Sequence, residues 1–437
     1  MKLNHGLHLA YCTNIHPAET WAETLAALQN VTLAVRERVC PAQPFGIGLR
    51  LSRRAAQELS DPSALRAFRQ WLDQRHCYVF TINGFPYGQF HGGRVKEQVY
   101  APDWTQPERL EYTKPLFDLL SRLVPPGIEG SVSTLPGSFK PFLELPEETG
   151  RQKIRNNLWH AVEYVARLSQ QTERRLHLGL EPEPLCVLEN TRETILLFER
   201  LRAEHPNDPR LAEHLGVTYD ACHFAVEFEE PRTAFDSFRQ HHIKISKIHL
   251  SNALKLRPTP EALEALRPFA DDVFLHQVAI RTPAVKLKFY KDLANALAHE
   301  AAAGSPPAGV EGVSGLQPLP PSTSPMPGSV EWRVHFHIPL HAPATPPLES
   351  TADDLLGVLD VLEHDPTLCS HLEMETYTWE VLPPPLRERS MVDQLVAEYA
   401  WTLARLAERG LVNLIPAGPS PNLGATAPAT GVPTLPR

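Results

Sequence analysis

Cysteine is scarce in this chain: six of 437 residues, at 12, 40, 77, 186, 222 and 369. None falls in a Cys-x-x-Cys pair, and the wide spacing excludes a compact disulfide framework or a zinc finger. Reduced thiols in a cytoplasmic protein are the expectation. Charge of one sign is also in short supply, since the net charge is only −9. Without a basic footprint, nucleic acid and anionic membrane surfaces are not expected partners. No apolar run is long enough to span a bilayer, and "MKLNHGLHLAYCTN" puts His5 and His8 where a secretory signal needs an unbroken apolar stretch. Neither secretion nor membrane insertion is expected. Finally, no Gly-x-Gly-x-x-Gly follows the first strand-like run, which argues against a doubly wound dinucleotide-binding sheet.

What the chain does have is 42% hydrophobic residues and a repeated β-then-α rhythm. Eight β-like runs recur: "GLHLAYCT" at 6–13, "FGIGLRL" at 45–51, "CYVFTIN" at 77–83, "IEGSVSTL" at 128–135, "LHLGLE" at 176–181, "LGVTYD" at 215–220, "ISKIHLS" at 245–251 and "HLEMET" at 371–376. Helical patterns lie between them. After the first run, Pro17 suits a first turn, and Trp21, Leu25, Leu28, Val35 and Val39 share one face. After the third, Thr105 and Glu108 have capping-box spacing ahead of Leu116, Leu119, Leu120 and Leu123. Eight such steps predict an α/β fold, a (β/α)8 TIM barrel, over residues 1–415. Residues 301–329 are rich in Pro, Gly, Ala and Ser and are expected to be a disordered insertion, as is the tail 416–437. Two further β-like runs, 272–280 and 332–340, predict an extra hairpin between barrel strands 7 and 8.

The ionisable residues at the ends of the last four barrel runs form a set. They are Glu181 in "GLEPEP", Asp220 with His223 in "YDACH", His249 in "KIHLSN" and Glu375 in "LEMETYTW". Carboxylates plus imidazole suit a divalent ion, Mn²⁺, Zn²⁺, Mg²⁺, Fe²⁺ or Co²⁺, and barrel strands converge their C-terminal ends on one point. Each residue also has an ordinary reading. Asp220 suits a helix cap, His249 a hydrogen-bonded core histidine, and either Glu373 or Glu375, on one face of the strand, an ion-pair partner. Glu183 and Glu189 carry the same ambiguity as Glu181. On other loops, Asn14, His16, Asn83, Tyr87, His91 and Lys96 are candidate substrate contacts, with turn structure as the alternative.

The four motifs, in this order, resemble the xylose-isomerase-like and AP-endonuclease-like superfamily of TIM barrels. More closely, "LAYCTNIHPAETW", "PFGIGLRLS", "FTINGFPYGQFHG", "RVKEQVYAPDW" and "STLPGSFK" resemble the EboE family of metabolite-traffic proteins, over about residues 7–415 apart from the insertion. The superfamily resemblance implies metal ligands at Glu181, Asp220, His249 and Glu375, with His223 completing an Asp-x-x-His pair. It implies Glu375 rather than Glu373 as the ligand. The EboE resemblance implies a cytoplasmic protein linked to moving a precursor metabolite toward the periplasm, with other proteins of that route as partners. One departure stands out: the endonuclease branch places histidines on the second and third strands, where this chain has Arg50 and Asn83. His335 and His337 resemble that branch's Asp-x-His pair, and as two histidines on one strand face they equally suit a second metal or a substrate's hydroxyls or phosphate.

The reaction expected is isomerisation or epimerisation of a small molecule such as a sugar, a sugar phosphate or a biosynthetic precursor. Glu181 and Glu375 would be the catalytic acids and bases beside the metal. A metal-dependent hydrolase, and a non-catalytic metabolite-binding or scaffold protein, are the alternatives.

Overall fold

Strands that run as continuous apolar stretches need cover on both faces, and the computed structural model provides it. It describes residues 1–282, 287–301, 330–342 and 344–413. The expected tail lies outside these residues, as does the expected insertion apart from Ala301. Barrel strands β1 (His8–Cys12), β2 (Phe45–Arg50), β3 (Cys77–Asn83), β4 (Gly130–Thr134), β5 (Leu176–Leu180), β6 (Leu215–Asp220) and β7 (Lys244–Leu250) are buried almost throughout. Between β7 and the last barrel strand the chain forms β8 (Leu254–Leu256), β9 (Val278–Arg281), β10 (Leu287–Tyr290), β11 (Glu331–Val334) and β12 (Glu349–Ser350). Strand β13 (His371–Met374) then closes the barrel in the order β1-β13-β7-β6-β5-β4-β3-β2, every pair parallel. The expected TIM barrel is what the chain forms.

Alternation decides what points where. Leu9, Ile47, Val79, Val132, Leu178, Val217, Ile248 and Leu372 are fully buried in one continuous core. The positions facing the other way carry polar groups, among them Ser133, Lys247, His249, Glu373 and, beyond a one-residue register slip after Val79, Asn83. Register then aligns the functional ones, because Asp220 stands beside His249 across β6–β7 and His249 beside Glu373 across β7–β13. Glu181 and Glu375 follow directly, held by backbone bonds to Thr134 O and Leu250 O at 3.0 and 3.1 Å.

The expected hairpin is present, as the antiparallel pair β9–β11. It is the middle of a five-stranded antiparallel sheet, β10-β9-β11-β8-β12. That sheet has its own core of Leu254, Val278, Trp332, Val334 and Phe336, packed with the helix Pro260–Leu266 and the helix Leu293–Ala301.

Two expected helix starts differ. The first helix begins at Trp21, capped by Thr20 and Glu23 bonding each other's backbone N–H, so Pro17 lies outside it. Thr105 makes no capping box, because its hydroxyl donates to Asp103 and the helix Pro107–Leu123 starts after an uncapped Gln106. An ionised acceptor two residues away outcompetes the reciprocal pair. All six cysteines are buried and unpaired. Among the described residues no helix is long and apolar enough to cross a membrane.

Candidate metal centre

Glu181, Asp220, His249 and Glu375 converge: each brings one ligand atom within 4.8 Å of the other three, and all four are buried. His249 is the hub. Its Nδ1 lies 3.0 Å from Glu181 Oε1, 3.4 Å from Asp220 Oδ2 and 2.9 Å from Glu375 Oε2. Its Nε2 lies 3.1 Å from Glu373 Oε2. A carboxylate there can only accept, so Nε2 carries the hydrogen and Nδ1 faces three carboxylates. A neutral ring would aim a lone pair into that negative charge. Burial alone pushes the imidazole pKa down, but Glu375 and Glu181 reverse this and hold it well above its ordinary range, so a positive charge belongs at this point.

Asp220 shows the same need. Its Oδ1 caps the helix Ala221–Val226 by accepting from His223 N at 2.9 Å and also accepts from Ser251 Oγ at 2.8 Å. Its Oδ2 is buried without a hydrogen-bond partner. The capping and metal readings of Asp220 are therefore compatible, one oxygen for each. An unpartnered buried carboxylate oxygen, two glutamates and an imidazole nitrogen fit a divalent cation. Glu373, by contrast, is paired with Lys247 at 2.7 Å, both side chains fully buried, and Lys247 and His249 outweigh burial to hold its carboxyl down at about 2. It orients His249 from behind, as partners of metal-bound histidines do.

A second cluster adjoins the first. His223 Nδ1 is 3.0 Å from Pro182 O, and His337 Nδ1 is 2.8 Å from Glu375 O. Both carbonyls only accept, so both rings carry hydrogen on Nδ1, which in the neutral ring leaves Nε2 bare. His335 Nδ1 is 2.7 Å from Gln277 Oε1, whose amide is oriented by donation from Nε2 to Pro184 O at 3.2 Å. Its Nε2 is bare as well. The Nε2 atoms of His223 and His335 face each other at 3.0 Å, and that of His337 is buried without a partner. Burial pushes the His223 imidazole down to about 4 and, with the neighbouring histidines, holds His335 well below its ordinary range. Ligand atoms of Asp220, His223 and His337 group within 4.8 Å, as do those of Glu183, His223 and His335.

The candidate substrate residues divide. Asn14, Asn83 and Lys96 line the same cavity as Glu181, Glu375, His223 and His335. Asn14 Nδ2 donates to Glu375 Oε1 at 2.6 Å, and Asn83 Nδ2 donates to Glu373 Oε1 at 3.1 Å. His16, Tyr87 and His91 stand outside the cavity lining. His16 pairs with the Tyr11 hydroxyl at 2.8 Å, Tyr87 accepts from Arg53 at 2.6 Å, and His91 Nε2 donates to Asn14 O at 2.7 Å. Glu189, the alternative to Glu181, is paired with Lys140 at 2.6 Å. Sequence reasoning missed Lys247, although its place two residues before His249 puts it on the same strand face. It also missed Tyr377, on the loop after β13, and Phe274, which sits in the 272–280 run but before the strand that run forms.

The sequence matches no protein-family model and no curated protein. Solved structures similar to it include an IOLI protein with a bound zinc atom, at 10% identity and TM-score 0.44, over 92% of this chain and 99% of that one. A xylose isomerase-like TIM barrel protein from Mycobacterium smegmatis in complex with magnesium has 14% identity and TM-score 0.38, over 60% and 79%. A family 2 AP endonuclease from Brucella melitensis has 13% and 0.33, over 56% and 78%. At these identities and scores the likenesses say nothing about activity.

Proposed function

We propose that this protein is a metal-dependent isomerase or epimerase that moves a proton at the carbon next to a carbonyl. One observation carries this reading. Of the four converging residues, only Glu181 and Glu375 line the cavity, while Asp220 and His249 lie behind them. Glu181, Asp220, His249 and Glu375 would hold the divalent ion, which when bound polarises a carbonyl and stabilises charge developing beside it. Glu181 meets His249 through Oε1, which leaves Oε2 to take a proton. Glu375 is held by Asn14 at Oε1, an arrangement that fixes its orientation toward the substrate. Two carboxylates at one cavity allow one to remove the proton and the other to return it. The resemblance to the EboE family extends this proposal to a precursor metabolite in a cytoplasmic step of a traffic route.

The test is solvent deuterium exchange at the α-carbon of α-hydroxy ketones, with metal content measured on the same sample. Exchange in wild type and its near loss in both Glu181→Gln and Glu375→Gln are expected. No exchange in metal-loaded wild type overturns the reading.

A second reading, a hydrolase with two metal ions, is favoured by the three bare Nε2 atoms of His223, His335 and His337. Elemental analysis separates the two. One tightly bound ion per chain supports the isomerase, and two support the hydrolase.

A further inference from the structure

The walls of the cavity above Glu181 and Glu375 are unlike those a free sugar or a sugar phosphate requires. They come from three separate loops. Phe85, Phe90 and Val99 follow β3, Phe274 belongs to the excursion after β7, and Tyr377 follows β13. Phe90, Phe274 and Tyr377 form a mutual ring cluster with centroids 5.0, 5.1 and 5.4 Å apart.

Charge is equally informative. Lys96 is the one cation among the described lining residues, and its ammonium is fully engaged. It donates to Asp271 O, Phe274 O and Asp292 Oδ2, each at 2.7 Å, which uses all three hydrogens. A phosphate entering here would meet no free lysine or arginine among the described lining residues. A polyol reaching Phe85, Phe90 and Phe274 would bury hydroxyls against rings that cannot bond them.

We infer that the substrate is an uncharged amphipathic molecule: a compact α-hydroxy carbonyl head bearing an aromatic or branched hydrocarbon group. This inference rests on the isomerase reading above. The head lies at Glu181 and Glu375, and the apolar group packs on Phe90, Phe274 and Phe85.

The experiment measures binding of three probes to the metal-loaded full chain: hydroxyacetone, 2-hydroxyacetophenone and dihydroxyacetone phosphate. The phenyl ketone is expected to bind about tenfold or more tighter than hydroxyacetone, and the phosphate no tighter than hydroxyacetone. Phe274→Ala is expected to remove most of the phenyl preference with metal content unchanged. Should that variant fail to fold, the half-buried Val99→Ser and Phe85→Ala provide the same readout at the same wall. Tighter binding of the phosphate, or equal binding of phenyl ketone and hydroxyacetone by metal-loaded protein, overturns the inference and leaves the isomerase reading standing. Failure of wild type to retain metal, by contrast, overturns the isomerase reading itself.

Discussion

Replacing Lys247 by methionine removes one charge from a pair in which neither partner touches water. The ammonium lies 2.7 Å from Glu373 Oε2, with both side chains at 0% exposure. It also donates to Ser133 Oγ at 3.2 Å and to Asn83. Methionine fills most of the lysine's volume, so the loss is electrostatic rather than a cavity. The Glu373 carboxylate would keep only Asn83 Nδ2 and His249 Nε2, each at 3.1 Å. Breaking a buried ion pair from one side destabilises by about 3–5 kcal/mol, because the survivor remains desolvated without compensation. Glu373→Gln strands the lysine and should cost about the same. The double variant has no stranded charge, so it should be no less stable than either single variant, and the two effects should be strongly non-additive. Urea unfolding of all four proteins, with the slope checked for constancy, measures this. A single-variant loss below about 1 kcal/mol, or simple additivity, refutes the argument that this pair is a desolvated unit.

Three further outcomes follow from the same geometry. Asp220→Ala and His249→Ala should each abolish retention of metal through dialysis against a chelator while leaving the fold, as read by circular dichroism, intact; wild-type metal content in both would place the site elsewhere. Gly48→Ala should destabilise by about 1–3 kcal/mol and weaken metal retention, since a Cβ there runs into the Glu373 carboxylate; wild-type values for both would show that Glu373 is free to move. Acid should destabilise the barrel between about pH 6.5 and 4, because burial holds the His177 imidazole down to about 4 against an ordinary 6.5. A histidine kept neutral in the folded state contributes its stability above the unfolded pKa and loses it as pH falls toward the folded one, here up to about 3 kcal/mol. Thermal melts across that range should be flatter for His177→Gln, and an unchanged slope would assign the acid sensitivity to other groups.

The barrel was legible because its signal is local and repeated. Each of the eight β-like runs overlaps one barrel strand, and strand buried on both faces has few other ways to read. The convergence of Glu181, Asp220, His249 and Glu375 was legible for the same reason, since each ends or follows a strand and the topology brings strand ends together. The choice between Glu373 and Glu375 was not derivable from alternation, which puts both on one face. It turns on Lys247, which reaches Glu373 diagonally across β7–β13, where the register sets Glu373 opposite His249. The five-stranded excursion showed only its two central strands, β9 and β11. Strands β8, β10 and β12 are two to four residues long, and β9 and β11, four residues each, showed only because they overlap the longer apolar runs at 272–280 and 332–340. Helix starts were missed where Asp103 and Thr20 offered better local acceptors than the spacing suggested.

The excursion explains why the second cluster sits where it does. His335 directly follows β11, whose pairing to β9 places Gln277 next to it, so the sheet that delivers the histidine also supplies the amide that orients it. His337 is oriented by Glu375 O and His223 by Pro182 O, backbone atoms next to residues of the first cluster. The tautomers of His223 and His337 are thus set by the positions of the Glu181 loop and of Glu375, and Asp220 belongs to ligand groups in both clusters. A change in backbone at either glutamate would turn a histidine as well as move a carboxylate. The two clusters are therefore parts of one arrangement, anchored in the barrel at β5, β6, β7 and β13 and completed from outside it.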